Sequence, residues 1–333
     1  MFLKGGIMKA YALYNKNEEI RAKSSSGGVF YELAKEIINQ NGVVFGAKFD
    51  EEWNVVHSYA EDLEGVKAFL GSKYTQSSVG NCYKEAKSFL ETGRQCLFSG
   101  TPCQIAGLKT FLGKDYANLL TVDFICHGVP SRLVWKEYLK KICAPEKLVS
   151  VKFRDKSTGW GNYSLTLYGK TRKIYTKNHS DDLYMKGFLQ DIYLRPSCYN
   201  CAFKGVKRKS DITLADYWGV QLDLPEMFDD KGTSFIMIHS EEGKEIYKRI
   251  KENFISKEVN TEKPLSYNSA ALVSAKLPKK RKVFFEKGTV DFQLLEKLTK
   301  QSMLQNFFSR ALNKLKRIIK KFIRFDKWRG AKQ

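Results

Sequence analysis

Two apolar periods share this 333-residue chain. Short dense runs at 8–14, 43–49, 53–59, 95–98, 119–125 and 235–238 read as strands. Between them apolar residues return at helical spacing. Val29, Phe30, Leu33, Ala34, Ile37 and Ile38 form one such set, and Ile105, Leu108, Phe111 and Leu112 another. Further helices are expected from about 79 to 90, at 132–142 and at 241–250. Strand and helix alternate through the first 150 residues, which predicts βα units in an α/β body. From residue 151 the period falls to two. Runs at 151–153, 163–168 and 172–176 alternate, and the last two flank Gly169-Lys170, a hairpin turn. A helix at 181–190 and a strand within 211–219 follow. The predicted architecture is a mixed sheet with βα units, an antiparallel insertion and a C-terminal basic amphipathic helix. Its divisions are an α/β region at 1–150, the rest of the same body at 151–260, and a basic helical tail at 261–333.

The junctions carry the chemistry. In Phe98-Ser99-Gly100-Thr101-Pro102-Cys103-Gln104 a strand end meets a helix start. Thr101 is suited to cap the helix, and Pro102 fits its first turn, where a missing N–H costs nothing. Cys103 then lies where free N–H groups and the helix dipole stabilise a thiolate. The next unit ends in Cys126-His127-Gly128-Val129-Pro130-Ser131. If the two strands are parallel neighbours, Cys103 and Cys126 emerge at one carboxyl edge, where open α/β sheets bind ligands. Arg195-Pro196-Ser197-Cys198-Tyr199-Asn200-Cys201 adds a C-x-x-C, a metal knuckle or a redox pair. Four thiolates suit zinc or an iron–sulfur cluster. One C-x-x-C with two scattered cysteines suits the larger body of a cluster better than a zinc knuckle, which draws two such pairs. Cys82, Cys96 and Cys143 fall inside predicted elements and read as core thiols. His127 is a candidate proton donor, or a hydrogen-bonded loop residue.

Two polar loops are candidate anion sites. Ser24-Ser25-Ser26-Gly27-Gly28 opens a helix and offers hydroxyls and N–H groups to a phosphate, although an ordinary helix cap is the commoner use of such a loop. Gly42 is expected to end that helix. Gly71-Ser72-Lys73-Tyr74 supplies a cation and a ring, or is a solvated loop. Trp160, between two glycines, either covers a planar ligand or packs in the core.

Charge narrows the partners. The net charge is +21, but 18 Lys/Arg and 4 Asp/Glu lie from residue 276 on, leaving only +7 for the preceding 275 residues. A nucleic-acid reading is weakened accordingly. In the tail, Phe308, Leu312, Leu315, Ile318, Ile319, Phe322 and Ile323 alternate with Lys and Arg, and Trp328 follows. This is the pattern of a helix lying on an anionic membrane surface, or of one docked on a partner. No run of about 18 apolar residues is present. Seven cysteines without a secretory h-region point to a reducing, cytoplasmic setting, with a place on the inner membrane face open to the tail.

The ordered motifs Ser24–Gly28, Gly71–Tyr74, Phe98–Gln104, Cys126–Ser131, Cys198-x-x-Cys201 and 210–219 resemble the beta-subunit family of coenzyme F-420 hydrogenases and dehydrogenases, over roughly residues 10–240. The resemblance implies an FAD-binding iron–sulfur oxidoreductase passing electrons between a hydride carrier such as coenzyme F-420, the flavin, a 4Fe-4S cluster and a partner. It places the cluster on Cys103, Cys126, Cys198 and Cys201. It places the flavin and its phosphates around Ser25, Ser26, Gly27 and Gly28, around Gly71, Ser72, Lys73 and Tyr74, and around Ser99, Gly100 and Thr101. Lys73 and His127 are the candidate catalytic groups. No cysteine precedes Cys82, so the ferredoxin-like segment of longer relatives is expected to be absent and an external carrier such as ferredoxin, or a redox partner subunit, to be needed. Compact members are similar to proteins found with bacterial cell-surface polysaccharide assembly. The competing classes are a zinc-stabilised protein whose tail engages nucleic acid, and a membrane-associated scaffold without redox activity.

Overall fold

The computed structural model describes residues 9–144 and 147–300. The chain falls into two compact units, 1–290 and 291–333. The described part of the second holds one helix, Phe292–Thr299, capped by the Asp291 carboxylate. The apolar positions expected to form the tail helix, Phe308 to Trp328, lie outside the described residues.

The first unit is built on a nine-stranded sheet. Its strands are β1 (Lys9–Asn15), β2 (Val43–Phe49), β3 (Val55–Ala60), β4 (Ser77–Ser78), β5 (Cys96–Ser99), β6 (Leu119–Phe124), β10 (Ile212–Asp216), β11 (Ser234–Ile238) and β12 (Phe254–Glu258). A separate antiparallel sheet holds β7 (Ser150–Asp155), β8 (Ser164–Tyr168) and β9 (Lys173–Asn178). The large sheet runs β12-β1-β11-β10-β6-β5-β2-β3-β4. Its centre is parallel, from β2 through β5 and β6 to β10, and antiparallel pairs extend it on both sides.

Side-chain alternation sets the layers. Val44, Leu97, Leu120 and Val122 face a cluster completed by Leu33 and Ile37 of the helix Val29–Asn39 and by Ile246 and Ile250 of the helix Glu241–Ile250. Val43, Phe45, Cys96 and Phe98, one residue out of phase, face Ala86 and Leu90 of the helix Cys82–Glu91 and Ile105 and Leu108 of the helix Pro102–Leu112. Each strand therefore buries both faces, as a central parallel strand must. Burial pushes the Cys82 and Cys96 thiols up to about 12, as expected of core thiols.

Two local expectations shift, and of the two readings of Trp160 core packing holds. The helix predicted from about 79 begins at Cys82, because residues 79–81 make a turn closed by Cys82 N–H on the Val79 carbonyl at 3.1 Å. The helix before β2 ends at Asn39, and Asn41 rather than Gly42 takes the left-handed turn, at φ 56°. Trp160 is buried, stacked at 4.7 Å on Trp218, with its indole N–H on Asp216 at 3.2 Å. It joins the loop between β7 and β8 to the large sheet.

Candidate functional site

The parallel register of β5 and β6 (Phe98 opposite Thr121, Ser99 opposite Val122) sends both strands out at one carboxyl edge. The helix after β5 starts with Pro102, and the Gln104 side chain accepts from Thr101 N–H at 2.9 Å. That leaves Cys103 exposed in the first turn, its sulfur 3.1 Å from the Thr101 hydroxyl. Cys126 follows β6. The C-x-x-C lies on a short 3-10 turn, Pro196–Asn200, whose Cys198 sulfur accepts from Val129 N–H at 3.4 Å. Lys204 Nζ fixes the other side, donating to the Cys126 carbonyl at 2.5 Å and to the Ala270 carbonyl at 2.7 Å.

Burial pushes the Cys126 thiol up to about 12; Lys204 opposes the rise, and Cys198, Cys103 and Cys201 add to it. The four cysteines drawn from three separate segments thus share one electrostatic neighbourhood. They do not close on one point: among the described residues no three Cys, His, Asp or Glu side chains converge as the ligands of a single ion do. An all-thiol set spread over a wider body matches the donor chemistry of a polynuclear cluster. His127, beside Cys126, is held by Asp191 at 2.7 Å and lies edge-on to Phe188.

The second feature is a cavity of about 790 Å³. Its wall joins five parts of the chain: the segment 18–25, the turn 49–53, the segment 67–73, strand β7 with its flanks, and residues 230–231. The Ser25 and Ser72 hydroxyls meet at 2.8 Å and tie the first and third of these together. Arg21, Lys23, Lys67, Lys73, Lys152, Arg154, Lys156 and Lys231 outnumber the acids Glu18, Asp50, Asp155 and Asp230 around it, and Phe49, Trp53 and Phe153 supply rings. Trp53 sits at φ 63°, an unusual value for so bulky a residue, and strain of this kind gathers at ligand sites.

The cations are not equivalent. Arg21 is fully engaged, bidentate on Asp229 at 2.6 Å and on the Gly232 carbonyl at 2.9 Å. Lys73 Nζ reaches the Leu70 carbonyl at 3.1 Å and those of Phe69 and Gly71 at 3.3 Å, and burial pushes it down to about 7. Burial also lowers Lys156, to about 8. Arg154 is buried between Tyr163 and Trp218 and paired with Asp216 at 2.5 Å, while its Nε and Nη2 have no hydrogen-bond partner. Neither its strand nor its spacing marked Arg154 as a site residue. His57 was missed as well: it is buried, bonded to Ser77 Oγ at 2.6 Å and to the Ser99 carbonyl at 3.1 Å, and Lys73 adds to the lowering that burial imposes on it. It joins the end of β5 to β4, just beyond the Lys73 loop.

Of the loop residues expected around a flavin, Ser25, Gly71, Ser72 and Lys73 line the cavity. Ser26, Gly27, Gly28, Tyr74, Ser99, Gly100 and Thr101 are not in its wall. Gly27 instead packs on β1: its N–H is taken by Ser234 Oγ at 2.9 Å, and a Cβ there would come within 2.4 Å of the Leu13 carbonyl. Gly28, at φ 86°, starts the helix Val29–Asn39. Tyr74 packs on Phe153 and Phe188. Thr101 belongs to the cysteine edge.

Residues 93–263, spanning β5 to β12 and holding all four cysteines, match the family described as the C-terminal part of the coenzyme F420 hydrogenase/dehydrogenase beta subunit. The chain belongs to this family. A chain of the F420-reducing [NiFe] hydrogenase complex from Methanosarcina barkeri shares the fold, with a TM-score of 0.53 over 88% of this chain and 91% of that one at 17% identity. No curated protein matches. Family membership supports a redox role for the chain, that of a hydrogenase/dehydrogenase beta-subunit-like oxidoreductase. No helix of the described residues is long and apolar enough to cross a membrane.

Proposed function

We propose that the chain is an FAD-binding, iron–sulfur oxidoreductase. It passes electrons between a two-electron carrier, coenzyme F-420 or another hydride donor, and a one-electron protein partner. The observation that carries the reading is the gathering of Cys103, Cys126, Cys198 and Cys201 at one sheet edge in a chain of this family. FAD would supply the conversion between hydride and single electrons, and a 4Fe-4S cluster would hold the single electrons. The four thiolates would ligate the cluster, and the Val129 N–H on Cys198 would favour its reduced, more negative state. Lys73, Arg154 and Lys156 would offset phosphate charge, with the Ser25 and Ser72 hydroxyls beside them. Phe49 and Trp53 would shield a ring from water. Lys73 and His127 are the candidate proton donors.

Protein purified without oxygen should show flavin bands and a broad shoulder bleached by dithionite, with iron and sulfide each at about four per chain by assay. A colourless, zinc-loaded protein would replace this reading with that of a zinc-stabilised binding protein.

The cavity's lysines give it a pH signature. Lys73 changes charge near 7 and Lys156 near 8. A bound anion favours the charged forms, so anion affinity holds below pH 7 and falls as pH rises through both values. Calorimetric titration with sulfate, which does not itself titrate here, should show this fall between about pH 6 and 9. Lys73→Met should remove the part centred near 7 and keep the part near 8. Unchanged affinity across the range would exclude both lysines from the anion site.

A further inference from the structure

We infer that the surface around the Cys198–Cys201 turn is the docking site for a small acidic electron-carrier protein; this rests on the redox reading above.

Two segments meet there. Cys201 N–H donates to Ser274 Oγ at 2.9 Å, Gly205 N–H to the Ala271 carbonyl at 2.7 Å, and Lys204 Nζ to the Ala270 carbonyl at 2.7 Å. These bonds hold residues 201–206 against 270–274. The joined segments expose large apolar side chains in one place: Phe203, Val206, Leu272, Val273 and Leu277, with Val273 60% and Leu277 66% exposed. Scattered exposed apolar residues need no explanation, but a group of five beside a candidate redox centre does.

The segments that carry this group are predominantly cationic. Residues 195–209 contain five Lys/Arg and no Asp/Glu, and residues 270–288 contain six Lys/Arg and one acid, Glu286. Arg208 is buried against Asp123, and Arg281 is committed to the Leu194 carbonyl at 2.6 Å. Lys207, Lys209, Lys276, Lys279 and Lys282 are exposed. An apolar centre with a cationic rim is the surface that suits a short-lived complex with an acidic partner: charge steers the encounter, and a small apolar contact allows rapid release. The chain's own residues 301–333 are a poor occupant, since ten Lys/Arg against one Asp would set like charge on like charge. Cys201 lies in the same joined segments, so a carrier seated here would stand beside the cysteine group.

The test uses full-length protein purified without oxygen and a small acidic ferredoxin as the probe. Stopped-flow reduction by the reduced ferredoxin should slow steeply as salt is raised. The triple variant Lys207→Glu/Lys209→Glu/Lys279→Glu should lower the second-order rate at low salt by at least about tenfold. Leu277→Ser should lower it with little change in salt dependence. Reduction by dithionite, and iron and flavin contents, should stay as in the parent, and Lys84→Glu/Lys114→Glu, on the helix Cys82–Glu91 and just past the end of the helix Pro102–Leu112, should match the parent throughout. Binding of oxidised ferredoxin, followed by calorimetry, gives a readout that needs no bound cofactor, so a chain lacking cluster or flavin would sink the redox reading without deciding the surface. A ferredoxin affinity indifferent to salt and to the triple variant overturns the inference. So does a variant that loses binding to phosphatidylglycerol vesicles or duplex DNA while keeping ferredoxin binding, which would give the surface to a membrane or a nucleic acid.

Discussion

Cys198→Ser is expected to leave a folded protein with iron and sulfide near background. Cys198 is only partly buried and lies on a short turn outside the sheet's core, so the substitution removes little packing. Its contacts are local: the bond from Val129 N–H, 3.4 Å from the sulfur, is a single weak one, and its loss to the shorter serine side chain leaves the fold intact. A serine hydroxyl is a hard, weakly acidic ligand and does not replace a thiolate at a soft metal site. The informative comparison is Cys82→Ser. Cys82 packs among Ala86, Leu90 and Phe98, and burial, with Glu85 beside it, already pushes its thiol up to about 12, so a smaller and more strongly hydrated hydroxyl there loses packing and is costly to desolvate. That variant should lose on the order of 1–3 kcal/mol of stability and keep its iron. Circular dichroism, urea unfolding and iron and sulfide assays on both variants separate the two roles. Full iron in Cys198→Ser would remove it from the ligand set.

The burial of Cys82 and Cys96 and the exposure of Cys103 were legible because they follow from local pattern, whereas Cys143, expected inside a helix as a core thiol, is half-buried just past the helix Arg132–Ile142. A dense apolar run such as 96–98 buries whatever it carries, and a Pro-capped helix start leaves its second residue at the surface. The strands 43–49 and 119–125 and the hairpin around Gly169 were legible for the same reason: period and turn chemistry act over a few residues. What stayed hidden depends on partners distant in the chain. β1 at the start pairs with β11 and β12, more than 200 residues on, and no local signal sets that register. Gly27 reads as part of a phosphate loop, yet its role is set by the Leu13 carbonyl and Ser234. Lys73 reads as a solvated loop lysine or a phosphate ligand, and its lowered pKa comes from burial that the loop sequence does not reveal. Arg154 sits in an alternating strand that gives no sign of facing an acid 62 residues away.

Arg154→Met is expected to destabilise the protein by about 3–5 kcal/mol, because it strands a carboxylate. The Arg154 side chain is 3% exposed and Asp216 17%. Burial disfavours the guanidinium's charge, and Asp216, with Tyr74 and Tyr163, more than restores it. Without Arg154, Asp216 keeps the Trp160 indole N–H at 3.2 Å as its side-chain partner, one neutral bond for a charge. The pair also joins β7, which forms part of the cavity wall, to β10 of the large sheet, so its loss loosens the join that positions the cavity. Arg154→Met/Asp216→Leu removes both charges and should recover much of the loss, since an apolar pair of similar volume has no desolvation to offset. Urea midpoints at constant m-value for the two single variants and the double give the coupling directly. A single-variant loss below about 1 kcal/mol would mean that the pair is solvated like a surface bridge. Ligand binding divides the two Arg154 variants from the parent in a second way. Arg154 Nε and Nη2 are buried and lack a hydrogen-bond partner among the described residues, so a two-oxygen anion drawn to them from the cavity would gain charge-assisted bonds. Sulfate should therefore raise the parent's urea midpoint by more than that of either Arg154 variant, all three sharing the general stabilisation that this salt gives by exclusion from the surface. Equal stabilisation of all three would take Arg154 out of the anion site while leaving its structural role with Asp216 intact.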